Sequence, residues 1–426
     1  MKNSLLLWGM LGLTLTASAQ PYTLETCKSL ALENNHQIES RQLEADMALQ
    51  TKREAFTHFF PSISATGMAF NANRPTVQMD FTLPVLPTPI PLALAKHGLM
   101  GGVTATQPVF AGGQIFNSHK LARVGEEVSR AQAKLTEDEI LQNVEESFWQ
   151  IISLQEKLKT LDAVNAQLDR VQHDVEMAVQ AGISTRNDLL RVELKRQETE
   201  SSRLKVENGI NVSKLLLGQY IGRLGTTLEL VADDFTSPES PLSIYEDAST
   251  AVTRRTEYQL LNKNVEAGKL RQRVTVGKNL PSVGVGAGYM YHDLTGSDNH
   301  FGVVFASVSV PISGWWGGSH AIKREKLKVR QAEIERQQNR EMMEVEISQC
   351  WNELQEAYKQ ILLTQKSIDS STENLRLNQE YFRAGTVSLS DLLDAQTLMQ
   401  QSRDQHADAC AQYRIKRAKY LQVTGR

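Results

Sequence analysis

Asp391 and Asp394 stand three positions apart, a spacing that puts two carboxylates on one face of a helix. Such a pair binds a cation when several copies converge, or it does no more than stabilise a helix start and face water. The residues alone leave both open. Asp188 holds the matching place in an earlier copy of the same phrase. Cys27, Cys350 and Cys410 raise a disulfide question. The chain carries no H-E-x-x-H, Walker loop, G-x-S-x-G or Cys/His metal spacing, and its nine His are scattered. Nothing here speaks for an enzyme, a cofactor or a metal site.

The carboxylates must be positioned by long helices. No Gly or Pro occurs from Ser319 to Ala384, and after Gly385 none returns until Gly425. Two helices joined by one tight turn follow, with Gly385 in the left-handed position and Ser388 or Ser390 capping the second helix. Ala181-Gly182-Ile183-Ser184-Thr185-Arg186-Asn187-Asp188-Leu189-Leu190 is the earlier copy, 203 positions upstream (385 − 182). Pro108 and Pro311, Phe148 and Trp351, and Gly222 and Gly425 keep that separation. Phe60-Pro61 and Leu280-Pro281 lie 220 apart, so the first copy holds about 17 extra residues (220 − 203) between Pro61 and Pro108. The expected layout is a first repeat at 20–222, a connector at 223–243 and a second repeat at 244–426. If Gly385 marks a shared tip, Cys350 and Cys410 sit roughly 52 and 38 Å from it, too far apart to bridge, so buried free thiols are expected.

Lys2, the apolar run Leu5 to Leu15 and Ala17-Ser18-Ala19 form a secretory signal peptide over residues 1–19, which is removed on export. The formal net charge of −3 excludes bulk attraction to nucleic acid. Beyond the signal segment no apolar run is long enough for a helical membrane span, which leaves a β-barrel span open.

Residues 23 to 58 read as helix, ended by Pro61. Ser62 to Asn73 and Gly101 to Phe110 read as strands. Between them Arg74 to Leu99 holds Pro75, Pro84, Pro87, Pro89 and Pro91, a density that forbids a helix and central strands; it is expected to be an outer loop. From Leu141 to Val175 apolar residues recur every three or four positions (Val144, Phe148, Ile151, Leu161, Val164, Leu168, Val171 among them), a coiled-coil seam on a helix of about 65 residues. Ile347, Trp351, Leu354, Tyr358, Ile361 and Ile368 form its counterpart. Ile244 to Lys278 reads as helix, and 282–291 and 301–310 as strands, the first alternating Val283, Val285, Ala287, Tyr289 and Tyr291 with Gly284, Gly286, Gly288 and Met290. The fold class is mostly α with a small β-barrel portion: two long helical hairpins and four transmembrane strands per chain. Four strands cannot close a barrel alone and lipid permits no open edge, so the chain must oligomerise.

These features in this order resemble the TolC family of outer-membrane efflux channels. Pro108-Val109-Phe110-Ala111-Gly112-Gly113, the paired tips, Leu217-Gly218 and the two Phe/Leu-Pro steps carry the likeness over the whole mature chain. The resemblance implies a homotrimer whose twelve strands close one barrel in the outer membrane, continuous with a periplasmic α-barrel that meets a periplasmic adaptor and an inner-membrane pump. It implies a pore gate at Asp391, Asp394 and Asp188, where converging tips would form an acidic ring. In the family a Tyr and an Arg help hold the first-tip Asp; Phe382 and Val387 stand at those positions here, with Arg383 and Arg186 as nearby alternatives. Gly182, Ile183, Ser184, Gly385, Thr386 and Val387 would be the adaptor-contact turns. Trp315 and Trp316 fit an aromatic belt or packing inside the junction, and basic clusters at Lys52/Arg53, Lys120/Arg123, Arg271/Arg273/Lys278 and Lys323/Arg324/Lys326 fit lipid headgroups or ordinary solvated helix faces. The expected function is the exit duct of a tripartite efflux system for small molecules. A duct for secreted proteins and a periplasmic coiled-coil adaptor are the rivals; the duplicated hairpin and the strands count against the adaptor.

Overall fold

The computed structural model describes residues 21–74, 77–81, 90–94, 97–232, 235–236, 239–293, 298–312 and 314–426, with backbone alone at 77–81, 90–94 and 315. The signal segment 1–19 lies outside the described residues. The elements in order are α1 (Leu24–Asn34), α2 (His36–Thr57), β1 (Ser62–Asn71), β2 (Val77–Phe81), β3 (Ile90–Leu94), β4 (His97–Ala111), α3 (Gln114–Gln180) and α4 (Arg186–Tyr220). A 3-10 turn (Pro241–Ile244), α5 (Ala248–Ala251) and a second 3-10 turn (Val252–Arg254) lead to α6 (Thr256–Gly277), β5 (Ser282–Asp293), β6 (Asn299–Ser309), α7 (Gly314–Arg383) and α8 (Leu389–Val423). The chain divides into two compact units, and these are not the two repeats: residues 1–39, 136–251 and 345–426 form one, and 40–135 and 252–344 the other.

The first unit holds both helical turns. Its core is the expected seam: Val144, Phe148, Ile151, Leu161, Val164, Leu168, Val171 and Val175 are buried, as are Ile347, Leu354 and Ile361. The α8 side chains Leu389, Leu392, Leu393, Ala395 and Met399 join the cluster with Leu375 and Val192. The connector packs on these helices rather than hanging free. Tyr22 bridges Leu230, Trp149 stacks on Phe235 at 6.1 Å, and the Tyr413 hydroxyl donates to the Glu239 carbonyl. Cys27, Cys350 and Cys410 are buried free thiols, the first and last pushed up to about 11 by burial.

The second unit holds the sheet, in the order β1-β4-β5-β6 and antiparallel throughout. Beside it, Val124, Ala267 and Leu270 pack α3 on α6, and buried Glu126 takes Lys52 at 2.6 Å and Arg130 at 2.8 Å.

Three expectations need correction. The segment 74–99 is not all loop: β2 and β3 pair as a two-stranded ribbon with Pro91 opposite Asp80, and β4 starts at His97. Both strands of a ribbon are edges, where a proline costs no ladder bond to a further neighbour. Residues 23–58 are two helices. Asn35 takes an extended conformation, its Oδ1 accepts the N–H groups of Gln37 (2.9 Å) and Ile38 (3.3 Å), and its Nδ2 donates to the Tyr220 carbonyl (2.9 Å). The break recurs 220 positions on (255 − 35), where Arg255 is extended between the second 3-10 turn and α6. Residues 244–278 are therefore short turns followed by a helix.

Candidate channel elements: the helical tips and the sheet

The turns at 181–185 and 384–388 are built alike. Gly182 and Gly385 sit at φ 75° and 73°, a conformation glycine adopts without strain. Their N–H groups reach Val179 and Phe382, and the next residues, Ile183 and Thr386, reach back to Ala178 and Tyr381 (2.8 and 2.9 Å), which closes the carbonyl ends of both helices. Thr185 and Ser388 then cap the return helices in reciprocal boxes with Asp188 and Asp391. Asp188 Oδ2 accepts from Thr185 Oγ1 (2.7 Å), Thr185 N (3.1 Å) and Ser184 Oγ (3.0 Å). Asp391 Oδ2 accepts from Ser388 Oγ (2.7 Å) and N (3.0 Å). These bonds, the hydroxyl one foremost, hold both carboxyls below the usual carboxylate range. Asp391 and Asp394 are solvent-exposed side by side.

Of the residues at the family's partner positions for the first-tip acid, Phe382 packs against the apolar cluster of the unit. Arg383 and Val387 line a cavity of about 520 Å³ with Arg170, Asp174, Ile183 and Ser184. Among the described residues neither Arg383 nor Arg186 makes an ion pair, so Asp188 is held by its own turn instead. Ile183 is 83% exposed, an isoleucine left standing on the turn.

The sheet has two chemically distinct faces, which the pairing register sorts. One carries Ile63, Ala65, Val103, Ala105, Val283, Val285, Ala287, Tyr289, Val304, Ala306 and Val308, and not one Ser or Thr. Polar residues appear there only toward the ends, as Gln107, Asn71, His97, Asp293 and His300. The other carries every Ser and Thr of the four strands, Ser62, Ser64, Thr66, Thr104, Thr106, Ser282, Ser307 and Ser309, with Gly102, Gly284, Gly286 and Gly288, and also Met68, Phe70, Met100, Met290, His292, Phe301, Val303 and Phe305. A bulge between Pro108 and Phe110 returns Phe110 to the apolar face. Strands of 10 to 15 residues with one face apolar along its middle and polar at its ends fit a bilayer, and the face that holds every Ser and Thr fits water. Among the described residues no helix is long and apolar enough to cross a membrane.

The sequence profile described as "Outer membrane efflux protein" matches residues 28–223 and 250–426. The chain belongs to the outer membrane efflux protein family. Solved channels share its fold: CusC (TM-score 0.81, 15% identity, 94% of this chain and 92% of that one), VceC from Vibrio cholerae (0.78, 12%, 94% and 96%) and the open state of MtrE from Neisseria gonorrhoeae (0.78, 14%, 94% and 88%). No curated protein matches the chain. Membership makes it a non-enzymatic efflux duct of the outer membrane.

Trp316 of this efflux protein is 75% exposed; the side chain of Trp315 lies outside the described residues. Of the basic clusters, Lys52 is committed to Glu126 and Lys120 lies 4.3 Å over the Phe116 ring. Arg53, Arg271, Arg273, Lys278, Lys323 and Lys326 are exposed and make no ion pair among the described residues. A cluster the sequence did not reveal stands nearby in chain order: exposed Phe56 packs ring to ring with Phe59, Phe60 and His119, and Phe59 also meets His119, centroids 5.5 to 5.7 Å apart. The Phe-Pro step was its one visible sign. Asp404 on α8 was missed as well, because nothing in its neighbourhood of polar residues marks it as packed. Burial raises its carboxyl to about 6, against the pull of Lys157 and a Gln400 hydrogen bond.

Proposed function

We propose that three copies of this chain close a twelve-stranded barrel, with the apolar sheet face toward lipid and the Ser/Thr/Gly face toward a water-filled bore. The carrying observation is the complete segregation of Ser and Thr to one face. It is paired with an open sheet whose end strands β1 and β6 have no further partner among the described residues. Lipid tolerates no such edge, and pairing β6 of one copy with β1 of the next removes it. The likeness to TolC-type channels supports three-fold closure and a helical passage continuous with the barrel.

The helical turns converge, in this reading, on the passage axis. Asp391 and Asp394 from each copy form an acidic constriction that favours cations, and Asp188 shapes the first turn of each copy. Gly182, Ile183, Ser184, Gly385, Thr386 and Val387 meet a periplasmic adaptor, which links the duct to an inner-membrane pump. The bare Ile183 side chain favours this contact, since an apolar group so exposed is best explained by a partner. The chain itself conducts passively, and its cargo is small molecules. Trp315 and Trp316 sit at the membrane interface with the unpaired basic residues.

Deleting the gene and following both dye accumulation and the secreted proteins tests the cargo. Raised accumulation of a lipophilic dye with an unchanged secretome is expected. Unchanged accumulation with lost secreted proteins would replace this reading by a protein-secretion duct. Native mass spectrometry of the detergent-extracted chain should give a trimer; a monomer that never inserts into bilayers would return the adaptor reading.

A further inference from the structure

On the Ser/Thr/Gly face the register brings together three thioethers and an imidazole. Met68 of β1 pairs with Met100 of β4, and Met100 pairs with His292 of β5, so the three form one row across three strands. Met290 lies two positions before His292 on the same face and pairs with Gly102. A Cβ on Gly102 would meet Met290 Sδ at 2.5 Å, so that sulfur lies across the bare backbone of β4 at Gly102, two residues from Met100 in the strand. Opposed residues of an antiparallel pair hold their Cβ atoms about 4.5–5.5 Å apart, within reach of flexible methionine side chains. The His292 ring stands edge-on to Phe301 at 6.2 Å, and its Nδ1 is shielded from water with no hydrogen-bond partner among the described residues.

These four residues share their face with Phe70, Phe301, Val303 and Phe305, among which the thioethers and the imidazole are the soft donor groups. No carboxylate shares their rows; Asp293 is on the opposite face. Thioether sulfur and neutral imidazole, without oxygen anions, select soft monovalent cations over hard divalent ones. We propose that Met68, Met100, Met290 and His292 form a binding site for Cu(I) or Ag(I) on the inner face of the sheet. The site rests on the reading of that face as the bore, and it names soft metal ions as one class of traffic through it.

The test uses the full-length chain in detergent with Cys27, Cys350 and Cys410 changed to Ala, so that no thiol competes. The probe is Ag(I), which is redox-inert, loaded and then measured by mass spectrometry after desalting. Retained Ag(I) that is lost in Met100→Leu/Met290→Leu, and lost or weakened in His292→Gln, is the expected result. Because a double change in a strand can disturb folding, Met68→Leu alone should also reduce retention while its thermal unfolding matches the parent. Equal retention in all variants, or none in a parent that still conducts in planar bilayers, overturns the metal site and leaves the channel standing. Absence of conductance in the parent is the separate failure of the channel reading.

Discussion

The two helical tips are copies that kept one construction and changed their charge. Both close with glycine at positive φ and open with a hydroxyl capping box. The position three residues after the capping acid differs: Arg191 follows Asp188, whereas Asp394 follows Asp391 (394 − 191 = 203, the repeat separation). The first acid is thus buffered by Arg191 and by an additional hydroxyl from Ser184, and the second is doubled and exposed. Shared backbone chemistry sets the shape of both turns. Only the second concentrates negative charge, and the proposed constriction lies there.

The largest effect should come from erasing that difference. Asp394→Arg gives the second tip the charge pattern of the first, and single-channel reversal potentials should lose their cation preference or turn toward anions. Arg191→Asp, the converse change, should strengthen it. A smaller effect contrasts these solvent-facing acids with a packed one. Asp404 is raised to about 6 in the folded chain, above its ordinary unfolded value. The stability tied to its neutral form is full below the unfolded value and is lost as pH rises through 6. Asp404→Asn should stabilise the protein by about 2 kcal/mol at pH 8 and hardly at all at pH 4, read from thermal unfolding. The tip acids run the other way: their carboxyls are lowered, so the stability from capping is fully present above the ordinary carboxylate range and is lost as pH falls below it through the lowered folded values.

Removing the caps tests the shared part. Thr185→Ala and Ser388→Ala should each cost about 1 kcal/mol. Asp188 keeps its Ser184 bond and should stay well held in the first variant, whereas Asp391 loses its hydroxyl donor in the second; carboxyl titration by NMR of the tips reports the contrast. Gly182→Ala and Gly385→Ala meet open space and should cost only the left-handed backbone, about 1 kcal/mol, and equally at both tips. Unequal costs would mean that one turn is held by more than its own chemistry.

Much of this was legible before any coordinates. Glycine-free stretches with a three-four apolar rhythm leave only long helices, and Gly182 and Gly385 could be nothing but turns. The β2–β3 ribbon was hidden because proline density argues against strands in general, while an isolated ribbon consists of edges alone. Asn35 was hidden because asparagine inside an amphipathic pattern breaks a helix only when its side chain finds the next two N–H groups. The sheet faces needed register: alternation was plain in β5, but the bulge after Pro108 and the pairing of Met68 with Met100 and His292 exist only once strands are matched. Phe382 has no group to donate to the first-tip acid, and the donors Asp188 uses instead, Ser184 and Thr185, are written in the turn itself rather than in a distant partner.

The most direct measurement is single-channel conductance of the full chain in planar bilayers, beside Asp391→Asn/Asp394→Asn. A cation-selective pore whose selectivity collapses or whose conductance grows in the double variant is the predicted result. A chain that inserts and conducts with the same selectivity in both forms would contradict an acidic constriction at the second tip.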